Sequence, residues 1–560
     1  MRAKRPVARI DLGEVHDLLE RARAALSAED YRRLTGLIEM LIELTRLVRE
    51  KGATIARLRR LLGHSSTEKT VEVLSRDAGA AVDENSGAGG PGPGATCEQG
   101  PAGDGDAAAK RPKSKRRGHG RHPASAYDAR HIGVPHGTLH PGDLCPDCVR
   151  GKLYRLADPA RYLRIFGQAP LIAICWDCES MRCGACGQIF TASPPEEAQG
   201  PKYSESAASM MALLRYGTGL PLNRLGRLQE SLGVPVPAST QWEVVLARVT
   251  ALVPVYEELV RRAADGSVVH NDDTYMRILE FMGKRRAKLL ASGRLPDPDR
   301  TGLFTTAIVS ITGAGPIAMF ATGRQHAGEN LSEVLEERST ALGPPIQMCD
   351  ALDRNLPKGH EVIESNCLAH GRRHIVDEAE SFPSECRHVL EQLGMVFHNE
   401  TLCKENGWSG EERLRFHQEQ SGPVMASLEA WMTEQLEHKR IEPNSGLGQA
   451  FNHLLRRWGK LTQFLRVCDA PLENNIAERA MKMAIRHRRN SLFYRTCRGA
   501  HVGDIYMTLI HTAQLHGANP FEYLAVLLTH ERLVAARPAD WLPWTYGTTL
   551  ARLKSAARAA

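Results

Sequence analysis

The chain predicts a multidomain α+β protein, and three observations carry that expectation. At 560 residues it is too long for one ordinary hydrophobic core. Its pattern changes along its length, from a heptad-like helical stretch through a Gly/Pro-rich run and a cysteine-rich segment to short apolar strands and then helices. Finally, three acids stand in three local contexts. Asp272 and Asp350 each follow a short apolar strand pattern, and Glu478 opens a basic helical stretch.

Hydrophobic content of 42% and charged content of 24% suit a soluble globular protein. No window approaches the roughly 18 apolar residues of a membrane span, and the basic start has no apolar run behind it, so a secretory signal is not expected. The net charge of +7 is mild but unevenly placed. Lys110 to Arg121 holds seven Lys/Arg and no acid, and a second basic block runs from Arg479 to Arg498. Both suit a polyanionic partner, although a solvated surface is the plainer reading of any basic run.

The elements follow in order. Residues 14–70 predict a leucine-zipper-like helix. Leu34, Leu37, Leu41, Leu44, Val48, Ile55, Leu58 and Leu62 fall on a heptad with Lys51 as the polar interruption, and Gly63 is a stop. Self-association through this helix is expected; packing on its own protein is the alternative. Residues 71–125 predict a flexible linker with the basic tract. Residues 126–200 predict a zinc-finger-like domain. Cys145-Pro-Asp-Cys148 and Cys183-Gly-Ala-Cys186 have the spacing of two knuckles that together complete a tetrahedral thiolate site for structural Zn²⁺, with a small ribbon between them. A third pair, Cys175 and Cys178, could replace one knuckle or be packed thiols. The odd total of 13 cysteines, without an export signal, favours metal over disulfides.

Residues 201–260 predict a helical segment of helix-turn-helix type, with Ser239 or Thr240 capping its second helix. A plain helical hairpin fits the same pattern. From 261 to 500 the reading is an α/β core. Val268–His270, Leu303–Ile311 and Pro316–Ala321 predict a meander, Asn330–Arg338 a helix, and Ile346–Met348 and Val362–Cys367 short buried strands. A helical insertion at about 371–466 precedes a core helix at 474–497. That order is the order of a ribonuclease-H-like core. Residues 501–560 predict a helical C-terminal segment with an aromatic-rich stretch at 538–546.

Two strand ends and a helix can bring carboxylates together around two hard divalent cations, Mg²⁺ or Mn²⁺, beside a phosphodiester. Asp272, Asp350 and Glu478 are the candidates. Asp273 competes with Asp272, but alternation on a strand lets only one face the site. Asp353 and Glu473 compete with the other two as turn or cap residues. Arg479, Lys482, Arg486 and Arg489 recur at helical spacings after the third acid and are candidates for binding DNA phosphates.

Several segments together resemble the IS66-family transposases over nearly the whole chain. They are Leu61-Leu-Gly-His-Ser-Ser-Thr-Glu-Lys69, the cysteine segment, Leu220-Pro-Leu-Asn-Arg224, Asp272-Asp-Thr-Tyr-Met-Arg-Ile-Leu279, Arg324-Gln-His-Ala-Gly-Glu329, Asn366-Cys-Leu-Ala-His-Gly-Arg-Arg373, Asn474-Asn-Ile-Ala-Glu-Arg479 with Arg488-Arg-Asn-Ser-Leu-Phe493, Asn519-Pro-Phe-Glu-Tyr-Leu524, and Leu542-Pro-Trp544. Asp273 stands where the family has Glu, and Ala-Leu-Asp follows Asp350 where it commonly has Gly-Tyr. The resemblance implies a DDE transposase with Asp272, Asp350 and Glu478 as its acids, and His370, Arg372 and Arg373 near them. It implies a cytoplasmic protein that meets the terminal inverted repeats of its element and a target DNA, works as a homo-oligomer, and shares its element with accessory proteins. An inactive zinc-ribbon DNA-binding protein and a structure-specific nuclease are the alternatives that use the same residues.

Overall fold

The computed structural model describes residues 138–148, 150–154, 168–182, 189–295 and 297–559, together with Ser27, Tyr31 and Thr35. The expected coiled-coil helix (those three positions apart), the linker with its basic tract, and Cys183 and Cys186 lie outside the described residues. The chain divides into two compact units, one of Asp83–Cys175 with Leu232–Val234, the other of Met1–Val82, Trp176–Ser231 and Pro235–Ala560.

In the smaller unit Leu144 and Lys152 form an antiparallel bridge, and the Cys145 N–H donates to the Gly151 carbonyl at 2.7 Å. In the larger unit β1 (Ser180–Arg182) and β2 (Ile189–Thr191) pair antiparallel, Ser180 opposite Thr191. This ribbon brackets the Cys183–Cys186 segment, whereas the sequence suggested a ribbon between the two cysteine pairs.

Three helices come next, α1 (Glu205–Ala212), α2 (Leu222–Ser231) and α3 (Ala238–Ala264). The second helix of the expected pair runs to Ala264, a little past the expected limit of 260, and is not capped by Ser239 or Thr240. Its N-cap is Pro237, which supplies no side-chain bond. Buried Gln241 takes over, donating to the carbonyls of Val236 at 2.7 Å and Leu222 at 3.1 Å, so one amide ties the start of α3 to the start of α2.

The core is a mixed five-stranded sheet in the order β5-β4-β3-β6-β7. Its strands are β3 (Val268–Tyr275), β4 (Phe304–Thr312), β5 (Gly315–Gly323), β6 (Ile346–Cys349) and β7 (Ile363–Asn366). The first three form an antiparallel meander, while β6 and β7 run parallel to β3. The β3–β4 connection carries α4 (Gly283–Ala291), and α5 (Ala327–Leu335) follows β5. Gly328 in the first turn of α5 allows the 353–356 turn to lie against the helix. A Cβ there would stand 2.1 Å from the Leu356 carbonyl oxygen. This α+β arrangement is consistent with a ribonuclease-H-like core.

Between β7 and the last core helix lie α6 (Leu368–Asp377), α7 (Pro383–Asn406), α8 (Gly410–Phe416), α9 (Gly422–Glu437), α10 (Gly446–Arg456) and α11 (Trp458–Leu461). They share an apolar core that includes Leu390, Val396, Phe451, Leu454 and Phe464. Inside it Glu400 receives Arg413 at 2.8 Å and His417 at 3.0 Å. Burial pushes the Glu400 carboxyl up, but these cationic and hydrogen-bonding neighbours win and hold it down at about 2. Arg413 also donates to the Ala470 carbonyl at 3.0 Å, tying this helical body to the segment that leads into the last core helix.

That helix is α12 (Asn475–Ser491), and α13 (Cys497–Leu515), α14 (Pro520–Thr529), α15 (Glu531–Ala536) and α16 (Tyr546–Ala559) complete the chain. Helix α13 seals the open edge of the sheet. Asp504, Thr508, Thr512 and His516 step along one helix face and meet Thr322, Phe320, Ala318 and Pro316 of β5 in turn. Four helical residues advance about 6 Å and two strand residues about 6.6 Å, so the two repeats stay in step. The edge N–H groups of Thr322, Phe320 and Ala318, which would otherwise be open to pairing with another chain, are satisfied in this way. Asp504 accepts both the N–H (2.8 Å) and the hydroxyl (2.6 Å) of Thr322, and burial pushes its carboxyl up to about 7. Asp504→Ala leaves the Thr322 N–H buried without an acceptor, while the Thr322 hydroxyl keeps the Thr305 hydroxyl at 2.8 Å. A loss of about 2–4 kcal/mol is expected, read as a lower urea midpoint. An unchanged midpoint would show that the edge does not depend on this contact.

Candidate functional site

Strand β3 presents Asp272 to the face where α12 packs. Side chains alternate along a strand, so His270 and Asp272 share one face and Asn271 and Asp273 the other. The His270 Nδ1 lies 3.1 Å from Asn474 Oδ1 at the start of α12, which marks the first face. Asn474 also donates from Nδ2 to the Asn271 carbonyl at 3.1 Å. At the other end of the helix Arg488 donates to the Thr274 hydroxyl at 2.9 Å and the Tyr275 carbonyl at 2.5 Å. Helix α12 is therefore fastened to β3 on both sides of Asp272.

Asp350 leaves β6 at the level of Asp272. The strands are parallel neighbours with His270 opposite Met348, and each acid lies two residues beyond that pair. Adjacent strands stand roughly 4.8 Å apart, so the two side chains start from neighbouring points. Asn355 donates to Asp350 Oδ1 and so sets its rotamer. Asn355 is in turn held by its carbonyl, which receives the buried amides of Asn271 (2.7 Å) and Gln347 (2.6 Å).

Glu478 sits in the first turn of α12, its N–H bonded to the Asn474 carbonyl at 3.1 Å. The three acids feel one another. Asp272 is pushed up to about 7, first by burial and then by repulsion from Asp350, with Asp273 and Glu478 adding to it. Asp350 is pushed up to about 6 by burial, against the pull of Arg354 and Asn355. Burial and repulsion make Asp272 and Asp350 hard-oxygen donors whose charge a divalent cation would neutralise, while Glu478 has its ligand atom within 4.8 Å of Cys367 and His370; among the described residues the three acids do not themselves form so tight a group.

Asp273 is otherwise engaged. Its side chain is only 2% exposed, with His326 Nδ1 at 2.9 Å on one oxygen and Arg354 at 3.2 Å on the other. Of the adjacent pair, Asp272 is thus the acid facing α12. Neither Asp353 nor Glu473 acts as a side-chain cap. Leu352 is the N-cap residue of the 353–355 turn and Asn474 that of α12.

His370 lies in the first turn of α6, with Nδ1 3.6 Å from Glu478 Oε1. Cys367, His370 and Glu478 each offer a ligand atom within 4.8 Å of the others. Arg372 of the same helix is buried and Arg373 half-buried. On α12, Ala477, Ala480, Met481, Met483, Ala484 and His487 are buried, and Arg479, Lys482, Arg486 and Arg489 are exposed on the opposite face. Among the described residues no ion pair reaches Arg479, Lys482 or Arg486.

A family model described as the IS66 transposase family matches residues 201–502. The chain belongs to the IS66 transposase family. The matched span contains the whole sheet, the helical body between β7 and α12, and all three acids of this IS66-family chain. It is also similar to an uncharacterized Sinorhizobium fredii protein, y4jD, at 25% identity over 65% of this chain and 70% of the relative. A second uncharacterized protein of that organism, y4hP, is 24% identical over 59% of this chain and 60% of its own length.

The Cys145–Cys148 pair sits in a tight turn closed by the Cys145 N–H on the Gly151 carbonyl. The Cys148 thiol is held below its usual range by the N–H groups of Arg150 and Gly151 and by Cys145, with slight opposition from burial. No disulfide engages Cys145, Cys148, Cys175 or Cys178.

Asn271, Gln347, Asn355 and Asn474 were not singled out by the sequence reading. Only Asn474 stood in a motif. Asn474→Ala removes both side-chain bonds that fasten the Glu478 turn to β3. A stability loss of about 1–3 kcal/mol is expected. Catalytic turnover should fall further than DNA affinity, as measured by cleavage and fluorescence anisotropy on one duplex. Equal losses in both would make Asn474 a general fold residue.

Proposed function

We propose that this chain is a DNA transposase that cuts the 3′ strand ends of its element and joins them to target DNA by phosphoryl transfer. The observation that carries the reading is the common level of Asp272 and Asp350 on adjacent parallel strands, with the charge of Glu478 reaching the same carboxyl. Family membership supports it, since DDE chemistry implies a divalent metal and a DNA substrate.

Asp272, Asp350 and Glu478 are the residues that would hold Mg²⁺ or Mn²⁺. A bound pair of such ions supplies Lewis-acid activation of water and neutralises charge on the phosphoryl oxygens. The protein's own part is positioning. Asn355 fixes the rotamer of Asp350, Asn474 and Arg488 fix the register of α12 on β3, and His370 approaches Glu478 from α6. Arg479, Lys482, Arg486 and Arg489 line the helix that starts at the acids, so they neutralise phosphates and hold a strand end in place. Arg372 and Arg373 are assigned a supporting place on α6 beside His370. Cys145 and Cys148 with Cys183 and Cys186 form the structural zinc site in this reading, the 14–70 helix pairs two copies of the chain, and accessory proteins of the same element assist.

The test is a labelled duplex carrying the inverted repeat that flanks the reading frame, titrated with Mg²⁺ or Mn²⁺. Divalent-dependent nicking followed by joining of the freed 3′ end to a second duplex is expected. Binding without cleavage would overturn the enzymatic reading, and cleavage of branched DNA without joining would replace it by a nuclease.

A further inference from the structure

The connection between β3 and β4 is much longer than a hairpin turn and builds a basic cleft at the far end of α12. Strand β3 ends at Tyr275, the next segment forms a parallel bridge between Ile278 and Tyr494, and the backbone bonds continue through Leu279 N–H to the Tyr494 carbonyl (2.9 Å) and Tyr494 N–H to the Arg277 carbonyl (2.8 Å). Helix α4 follows, and none of its residues is buried. This nine-residue helix has no fully buried side chain, its sequence is mostly Lys, Arg and Leu, and Arg286 ties it to the Pro298 carbonyl.

Between α4 and the chain leaving α12 lies a cavity of about 520 Å³ lined by Arg285, Lys288, Arg294 and Arg495, with Glu280 as its one acid. Glu280 already accepts the Cys497 N–H at 2.8 Å. All four cations are exposed, and no ion pair engages any of them among the described residues. Like charges gathered around one cavity repel, so the arrangement has a net cost until a polyanion fills it. Beside it Leu492 holds a left-handed backbone at φ 68°, an uncommon conformation for a branched side chain, and Phe493 is left 39% exposed next to it.

At 1.5 Å per residue, α12 spans roughly 20 Å from Glu478 to Ser491, the rise of about 6 base pairs of B-DNA. The exposed cations Arg479, Lys482, Arg486 and Arg489 cover the interval. We propose that this cleft is a second DNA-backbone clamp. It grips the phosphates of duplex DNA about half a helical turn from the strand end at the acids, so that α12 lies along the duplex between them. The proposal rests on the transposase reading for the identity of the strand end, but the clamp itself is a duplex-binding site that can be tested without catalysis.

The experiment compares the full-length protein with the variant Arg285→Gln/Lys288→Gln/Arg294→Gln/Arg495→Gln, using a 40-base-pair duplex of arbitrary sequence and fluorescence anisotropy across a salt series. A plot of log affinity against log salt loses about 0.9 of slope for each phosphate contact removed, so a decrease of about 3 to 4 is expected. The charge-keeping variant Arg285→Lys/Arg294→Lys/Arg495→Lys should retain the wild-type slope. Thermal melting should be unchanged in both, since all four substituted side chains are exposed. A Gln variant with the wild-type slope would overturn the clamp, as would a Lys variant that lost slope as the Gln variant does. Wild-type protein that binds with the expected slope yet never cleaves would sink the transposase reading and leave the clamp standing.

Discussion

Asp272→Asn is expected to abolish both strand cleavage and joining, by on the order of 10³-fold or more, while duplex binding stays within twofold of wild type. The substitution keeps the shape of the side chain and removes one negative oxygen donor. A group aimed at developing charge in a preorganised site is worth about 10²–10³ in rate, and in the proposed site the same change would also weaken the hold on the metal. Binding should survive because the exposed cations of α12 lie on the face opposite its buried side. Stability gives an independent check. In metal-free protein Asp272 is repelled by Asp350, Asp273 and Glu478. Removing its charge should therefore leave the melting temperature unchanged or raise it. Full joining activity by this variant, or a large fall in its metal-free stability, would show that Asp272 is a structural acid.

The second expected result is a pH-dependent rescue by Mg²⁺. The folded carboxyls of Asp272 and Asp350 stand at about 7 and about 6, against an ordinary value of 3.8. A carboxyl whose folded value is raised keeps a proton that the unfolded chain has already lost. Between about pH 4 and pH 7 the folded chain thus binds more protons, and metal-free stability falls as pH rises through that window. Asp504, pushed up to about 7 in the interior, contributes in the same direction. Mg²⁺ at pH 7.5 should recover the part due to Asp272 and Asp350. At a concentration 100 times its dissociation constant, binding stabilises by about 2.7 kcal/mol. At pH 5 the same addition should do little, because the acids are largely protonated. The Asp272→Asn variant should lose most of the rescue, and Asp504 should be indifferent to the ion. A melting temperature at pH 7.5 that does not respond to Mg²⁺ would remove the metal from this site.

The three proposed acids were singled out in the sequence because each sits at a recognisable transition in its pattern. Asp272 and Asp350 terminate apolar strand patterns, and Glu478 opens a helix whose apolar and basic faces separate cleanly. Asp272 and Asp273 could be separated only in part. Alternation puts them on opposite faces, and the pairing of Asp273 with His326 and Arg354 shows that Asp272 is the one on the α12 side. The amide network of Asn271, Gln347, Asn355 and Asn474 had no local signature. Its partners are separated by up to 203 positions in the chain, and a buried amide reads as an ordinary polar residue until its acceptor is known. The cap of the helix that starts at Ala238 differs from the expected one for a related reason. Ser239 and Thr240 had cap chemistry, but the bond that fixes the start of α3 comes from Gln241 reaching back to Leu222.

The sequence by itself determined the periods and the punctuation, namely where strand patterns give way to helical ones, which face of α12 is basic, and that an acid follows each of two apolar runs and a third opens a helix, although β3 continues past Asp272 to Tyr275. Only the tertiary structure decided what those ends meet. The level shared by Asp272 and Asp350 depends on the parallel register of β3 with β6, the sealing of β5 depends on helix and strand repeats that advance in step, and the cleft by Arg285 and Arg495 joins segments about 200 residues apart. Local patterns report the conformation of a residue and its sequence neighbours, whereas register and packing are settled by contacts between segments that carry no mark of one another in the chain.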